Sequence, residues 1–347
     1  MALPSSHPLA SFPQELIVSV LELLKTTDLH AVSLVCKFLH LIAESFLYSN
    51  IRLSWRQSRI PQMVLFLRSI LRQPILASHV QSVALNGFHP GCMATWERDG
   101  VPKISLTEQE SQEAITFVRK ISPHIPYAKL WEQELRSGTM DAFLAVLLSR
   151  LPNLTHLNLD PYFASIMPIT GMVLRSSLCD SKSVDHTLPT FQRLLTVSFI
   201  VWWESGGLKN SLDILPLFYL PNIQHLSVSI GSPAYFSWPA PWRPDGSNIR
   251  SLDLHYIRNG HLGQILSVTP KLEKLEWEWY YCEDSLDELL NPIINLDTIM
   301  QDLAHVKNTL TDLVIRESVD RDPPMWTGYP PTSIQGSLEG FANLEKH

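Results

Sequence analysis

The sequence predicts an α/β protein, with three short helices at the N-terminus followed by a solenoid of parallel strands and outer helices. Three observations carry that reading. Residues 11–53 place apolar side chains at helical spacing, interrupted by two polar steps. Downstream, one apolar triplet recurs along the chain with helical segments between its copies, an alternation that favours a parallel sheet with one helical layer outside. The 347 residues are 45% hydrophobic and 18% charged, which suits folded protein and exceeds one typical domain.

In the opening block, Ser11 is expected to cap the first helix, with Gln14 three residues on and Pro13 in the first turn, where its missing N–H costs nothing. Ile17, Val20, Leu21 and Leu24 then form one apolar stripe. Lys25-Thr26-Thr27 breaks the rhythm, and Asp28 is the expected N-cap of a second helix bearing Leu29, Val32, Val35 and Cys36. A third helix carries Phe38, Leu39, Ile42, Ala43, Phe46 and Leu47. A block of about 40 residues is near the limit at which one core stands alone. Its apolar positions also wrap more than one face of each helix, so part of that surface requires a covering protein.

These residues resemble the F-box family. Phe12-Pro13-Gln14-Glu15 stands where the family begins Leu-Pro-x-Glu. Asp28-Leu29, Ser33-Leu34-Val35-Cys36-Lys37, Ile42-Ala43 and Leu47-Tyr48 follow in the family's order, with Tyr48 where many members have Trp. The resemblance covers about an eighth of the chain. It implies docking on the Skp-family adaptor of an SCF ubiquitin ligase, and through it on a cullin. It further implies that Phe12, Pro13, Leu16, Leu21, Leu24, Leu29, Val35 and Leu39 contribute to the adaptor interface.

Beyond the block, the repeated unit is an apolar residue, two positions, an apolar residue, one position and a third apolar residue. It appears as Val80/Val83/Leu85, Leu154/Leu157/Leu159, Leu194/Val197/Phe199, Ile223/Leu226/Val228, Ile249/Leu252/Leu254, Leu272/Leu275/Trp277 and Leu310/Leu313/Ile315, with a weaker copy at Tyr127/Leu130. LPNLTHLNL (151–159), LPNIQHLSV (220–228) and TPKLEKLEW (269–277) share a lead-in that unrelated strands would not. This is the leucine-rich-repeat pattern, in which a short strand precedes a helix or loop. Helices are expected at 61–72, 108–121, 140–151, 212–219, 260–268 and 296–306. The uneven spacing resembles the irregular repeats of fungal F-box proteins, and stability built from neighbour contacts is nearly one-dimensional.

The expected organisation is a disordered stretch at 1–10, an F-box-like domain at 11–53 and a leucine-rich-repeat-like domain at 54–347. Residues 231–248, 320–335 and 178–189 read as insertions. The first carries prolines and tryptophans that continue neither helix nor strand; Phe236, Trp238 and Trp242 are expected to fold onto the repeat edge as a lid, the alternative being that the insertion helps bind a partner. Residues 336–347 read as a helix and the opening of a further repeat that stops short, so the chain is expected to be truncated at its C-terminus.

Several function classes are disfavoured. No apolar run reaches the roughly 18 residues that span a bilayer, and the first residues lack the features of a secretion signal. Cys36, Cys92, Cys179 and Cys282 are scattered without CxxC pairing, which suits free thiols in the cytoplasm or nucleus. The formal charge of −7 argues against nucleic acid as partner. Phosphate-loop, dinucleotide, nucleophile-elbow and HExxH patterns are all absent, so no catalytic residue, metal or cofactor is expected. Cys179, Asp185 and His186 lack the paired spacing of a structural zinc site. Glu276, Glu278, Glu283 and Asp284 read as a solvated acidic stripe.

Recognition remains. Residues alternating with the inward apolar positions face the open side of the sheet. That set comprises Asn158, Asp160, Ser198, Ile200, Ser227, Ser229, Asp253, His255, Glu276, Glu278, Val314 and Arg316, with Trp202 and Trp203 just beyond one strand as aromatic anchors. The expected function is that of a non-catalytic receptor, holding a protein substrate on the repeats and the adaptor on the F-box. The alternative left open is a scaffold, adaptor-bound or free, with no degradation role.

Overall fold

The computed structural model describes residues 12–55, 62–87, 103–104, 108–121, 125–164, 167–180, 188–201, 211–231, 235–257, 259–282 and 296–320. Three helices open the chain: α1 (Gln14–Glu22), α2 (Thr26–Ser33) and α3 (Lys37–Ser49). Their caps differ from the expected ones. Pro13 occupies the N-cap of α1, where its fixed φ leads into the helix, and Lys25 precedes α2, so Asp28 sits in the first turn and not at the cap. Ile17, Leu21, Leu29, Leu39, Ile42 and Ala43 form a small core of their own, distinct from the main one.

The helices lead directly into an eight-stranded, all-parallel sheet whose strands lie in chain order. These are β1 (Asn50–Trp55), β2 (Ser82–Gly87), β3 (His156–Leu159), β4 (Thr196–Phe199), β5 (His225–Ser229), β6 (Ser251–His255), β7 (Lys274–Cys282) and β8 (Asp312–Asp320). Between them run α4 (Gln62–Arg72), α5 (Pro74–His79), α6 (Glu108–Ile121), α7 (Ala128–Ser137), α8 (Met140–Arg150), α9 (Pro161–Ala164), α10 (Pro168–Leu178), α11 (Ser211–Ile214) with a 3-10 turn at Leu215–Tyr219, α12 (Asn259–Leu266) and α13 (Leu296–Leu303). The helices expected at 61–72, 108–121, 140–151, 260–268 and 296–306 are present, that at 212–219 is a short α-helix continued by the 3-10 turn, and the one read in 336–347 lies outside the described residues. The N-terminal helical region followed by a parallel sheet with helices is the α/β solenoid arrangement the sequence predicts.

All seven strong copies of the triplet fall on β2–β8, and in one register. Val83, Leu157, Val197, Leu226, Leu252, Leu275 and Leu313 are successive partners across the sheet. Their side chains and those two residues later face the helical layer and form one continuous core from Met63 to Leu310. The weak copy at Tyr127/Leu130 is instead the start of α7, because a three-residue apolar spacing also fits a helix.

Asparagine side chains tie one unit to the one before it. Asn153 donates to the Ser78 carbonyl (2.7 Å), Asn222 to Gln192 (2.7 Å) and Asn248 to Pro221 (2.9 Å), and Thr309 makes the same reach to Pro270 (3.4 Å). Each donor directly precedes the first apolar residue of its triplet. Each acceptor lies two positions before that of the preceding unit, so the bond repeats with the register.

Within 231–248, Phe236 and Trp238 pack against the main core. The Trp238 ring lies edge-on to Phe218 (5.6 Å) and Phe236 (5.1 Å). Trp242 is 44% exposed, and its carbonyl accepts the Tyr219 hydroxyl at 2.7 Å. The lid therefore closes through Phe236 and Trp238, with Trp242 on its rim. The expected insertions at 178–189 and 320–335 fall mostly outside the described residues, as do 1–10 and 336–347 entirely.

Candidate functional site

Two surfaces stand out, one on the helical block and one on the open face of the sheet. On the block, eight large apolar side chains are exposed between Phe12 and Leu41: Phe12, Leu16, Val20, Leu23, Leu34, Val35, Phe38 and Leu41. Leu16, Val20 and Leu23 follow the i, i+4, i+7 rhythm of one helix face, while Phe38 and Leu41 lie three residues apart on α3 and Leu34 closes α2. Leu23 is 85% exposed and Leu34 73%, exposures at which a leucine gains nothing from folding. Such a concentration marks an interaction surface.

The residues expected at a partner surface divide accordingly. Phe12, Pro13, Leu16 and Val35 are exposed, and Leu24 is half-buried against the small core. Leu21, Leu29 and Leu39 are buried in that core, at 3%, 6% and 4% exposure, because three short helices need these central positions to pack against one another. The structure therefore assigns those three to the block's interior. Val20, Leu23, Leu34, Phe38 and Leu41 were not among the expected surface residues. Their signal was the apolar excess around the helices, which exceeds one inward stripe.

On the open face of the sheet, Asn158, Ser198, Ser227, Asp253, Glu276 and Val314 lie side by side in one row across β3–β8. Ser229, His255, Glu278 and Arg316 form the next row across β5–β8. Two of these positions differ from expectation. Ser229 is fully buried, because Val201 passes over it: the Val201 N–H donates to its Oγ at 2.8 Å, and that Oγ donates to the Val201 carbonyl at 3.2 Å. Asp160 turns back on the sheet, its Oδ2 accepting the Gly87 N–H. Ile200 is half-buried. Trp202 and Trp203 lie outside the described residues, as do Glu283, Asp284, Asp185 and His186.

The C-terminal half of this face is a connected ionic network. Ser227 Oγ donates to Asp253 Oδ2 at 2.6 Å. His255 lies between two carboxylates, with Nε2 3.0 Å from Asp253 Oδ1 and Nδ1 against Glu278 Oε2. Arg316 pairs with Glu276. Burial alone would disfavour the charged imidazole, but Asp253 and Glu278 outweigh it and hold its pKa above the ordinary value. Asp253 is likewise opposed by burial and still held below the usual carboxylate range by His255 and Ser227. His156 and His225 occupy one register row with Thr196 between them, and both are exposed.

Among the described residues, no group of three or more His, Cys, Asp or Glu side chains is arranged to hold a metal ion. Burial pushes the Cys179 thiol up to about 12, which leaves it an unreactive core residue. No described helix is long and apolar enough to cross a membrane.

Residues 9–54 match the F-box-like family. The chain thus carries an F-box-like domain at its N-terminus. The match takes in α1–α3 and all but the last residue of β1, and it contains the whole exposed apolar strip. The F-box-like domain suggests a role in binding an SCF adaptor, and proteins with this domain generally bind Skp-family adaptors as non-catalytic receptors. No curated protein matches the chain.

Proposed function

We propose that this chain is the substrate-recognition subunit of an SCF-type ubiquitin ligase, with irregular leucine-rich repeats of the fungal kind behind its F-box-like domain. Its F-box-like domain (11–53) binds a Skp-family adaptor, and through it a cullin, in the cytoplasm or nucleus. Its repeat domain (54–347) presents a protein substrate on the open face of the sheet. The chain performs no chemistry of its own. It raises the concentration of substrate near the subunits that transfer ubiquitin.

The observation that carries this reading is the apolar strip on α1–α3 inside the family match. Phe12, Pro13, Leu16, Val20, Leu23, Leu34, Val35, Phe38 and Leu41 are the proposed adaptor contacts, with Leu24 at the margin. Leu21, Leu29 and Leu39 support them from below. For the substrate, the proposed contacts are Asn158, Ser198, Ser227, Asp253, His255, Glu276, Glu278 and Arg316, together with Trp202 and Trp203.

The test uses the full chain, because removal of residues 1–53 would cut through β1. Leu16→Asp and Leu41→Asp variants are compared with the parent for co-purification of a Skp-family adaptor and for thermal melting. Loss of the adaptor with an unchanged melt is the expected result. Undiminished adaptor binding by the folded variants overturns the assigned face. Turnover of captured partners that depends on cullin neddylation distinguishes a receptor from a scaffold.

A further inference from the structure

We propose that His255 is a protonation switch for the open face of the sheet, bridging Asp253 on its own strand and Glu278 on the next. The bridge is geometric. His255 is 13% exposed in its side chain, Asp253 27% and Glu278 22%, so all three sit largely out of water, with His255 at the end of β6 and Asp253 and Glu278 in the middle of β6 and β7. The Nε2–Oδ1 contact to Asp253 is an ion-pair contact at 3.0 Å, so its strength depends on the charge of the ring.

The backbone holds this geometry in place. Tyr256, directly after His255, takes a left-handed φ of +66°, a conformation that a non-glycine residue adopts only where its surroundings enforce it. Its N–H donates to the Glu278 carbonyl at 3.2 Å, and the indole of Trp277 donates to the Ile257 carbonyl at 3.1 Å. The chain leaving β6 is thereby fastened to β7 by two bonds just beyond His255.

Among the described residues, the groups around His255 are known from every strand packed against it. β5 supplies Ser227 and the buried Ser229, β6 supplies Asp253, the residue directly after β6 supplies the Tyr256 ring, β7 supplies Glu276 and Glu278, and β8 supplies Arg316. With the imidazole protonated, these side chains carry a net charge of minus one. When it loses its proton, the charge becomes minus two, and Asp253 and Glu278 face each other without a cation between them. The face is then more acidic and its β6–β7 rim less firmly held. The consequence for recognition rests on the substrate-receptor reading, whereas the switch itself belongs to the free chain.

The test is a pH titration of the full chain with ¹³C-labelled histidine side chains, the His255 resonance being assigned by its loss in His255→Gln. The expected midpoint lies above the ordinary 6.5. It shifts down in Asp253→Asn and in Glu278→Gln, and it falls below 6.5 when both are replaced, since burial then acts alone. Should one single variant fail to fold, the other tests the same bridge from the neighbouring strand. A parent midpoint at or below 6.5, or one unmoved by either carboxylate variant, overturns the proposal. A chain that binds no adaptor yet titrates as expected removes the receptor reading and leaves the switch standing.

Discussion

Gly171 in α10 lies directly under the side chain of Asp213 in α11. A Cβ built on Gly171 would stand 2.2 Å from Asp213 Oδ1, 2.4 Å from Cγ and 2.6 Å from Cβ. The same arrangement recurs between α12 and α13, where a Cβ on Gly263 would meet Asp302 Oδ1 at 2.2 Å but Cγ only at 2.9 Å and Cβ at 3.5 Å. Successive helices of the outer layer thus approach through a glycine–aspartate contact. The two contacts differ in depth: Gly171 meets the whole side chain, Gly263 only its end.

That difference gives unequal outcomes for one substitution. Gly171→Ala forces the helices apart and is expected to cost about 1–3 kcal/mol as an overpacked site. At Gly263 only the carboxylate end must give way, at the loss of the bond it accepts from the Gly263 N–H, and the better helix propensity of Ala, worth up to about 1 kcal/mol, offsets part of that cost. Urea unfolding of the two variants should therefore show a clear loss for Gly171→Ala and a smaller one for Gly263→Ala.

Asp213 also carries a pH dependence. Burial, reinforced by the nearby Asp141 carboxylate, pushes its pKa up to about 7, and burial raises Asp141 to about 6. Each folded-state pKa is raised above the unfolded value, so the folded chain holds the proton more tightly. The resulting stability is complete below about pH 4 and is lost as pH rises through 6 and 7. Asp213→Asn is expected to stabilise the chain at pH 8, by on the order of 1 kcal/mol, and to flatten the profile between pH 5 and 8. Thermal melts across that range check it; an unchanged profile would count against the burial assigned to Asp213.

Asp141 behaves in the opposite sense on substitution. Its two oxygens accept the N–H groups of Ile169 (2.6 Å) and Thr170 (3.1 Å), capping the start of α10 from the neighbouring helix. An amide offers only one acceptor, so Asp141→Asn should destabilise by about 1–3 kcal/mol by leaving a buried donor unpaired. Denaturant midpoints of the two aspartate variants, measured at pH 7.5, should move in opposite directions.

The asparagine ladder predicts a smaller and local effect. Asn222→Ala removes the bond to the Gln192 carbonyl and is expected to cost about 1 kcal/mol. Because each bond joins only adjacent units, hydrogen exchange should accelerate around β4 and β5 and stay unchanged in α1–α3.

Buried and exposed leucines of the F-box-like domain separate folding from binding. Leu21→Asp places a charge in the small core and is expected to unfold α1–α3, whereas Leu34→Asp alters only the 73% exposed rim. Limited proteolysis should cut the first variant within residues 12–49 and spare the second.

Much of the sheet was legible because two periodicities agree in this sequence. The alternation within each strand fixes which side chains face inward, and the constant register then places Val83, Leu157, Val197 and the others in one row. β1 carries the same triplet as Tyr48/Ile51/Leu53, with Ile51 opposite Val83 and Leu53 opposite Leu85. It was overlooked because Tyr48 still belongs to α3 while packing on the main core. The helix α10 gave little signal, since residues buried nearly all round leave no polar face to set a period. At the surfaces, spacing alone could not separate inward Leu21 from outward Val20, because the two are adjacent and both apolar. Nor could it foresee Ser229, which is covered by a chain segment from another unit.

Helix α3 ends at Ser49 and β1 begins at Asn50, with no connecting residue between them. The Ser49 carbonyl accepts the Gln81 N–H at 2.9 Å, and the Tyr48 ring stacks on Phe66. The junction therefore has no linker residue of its own. A partner on the first helices and a partner on the sheet, as proposed, would be spaced by this one continuous run of backbone and not by a tether.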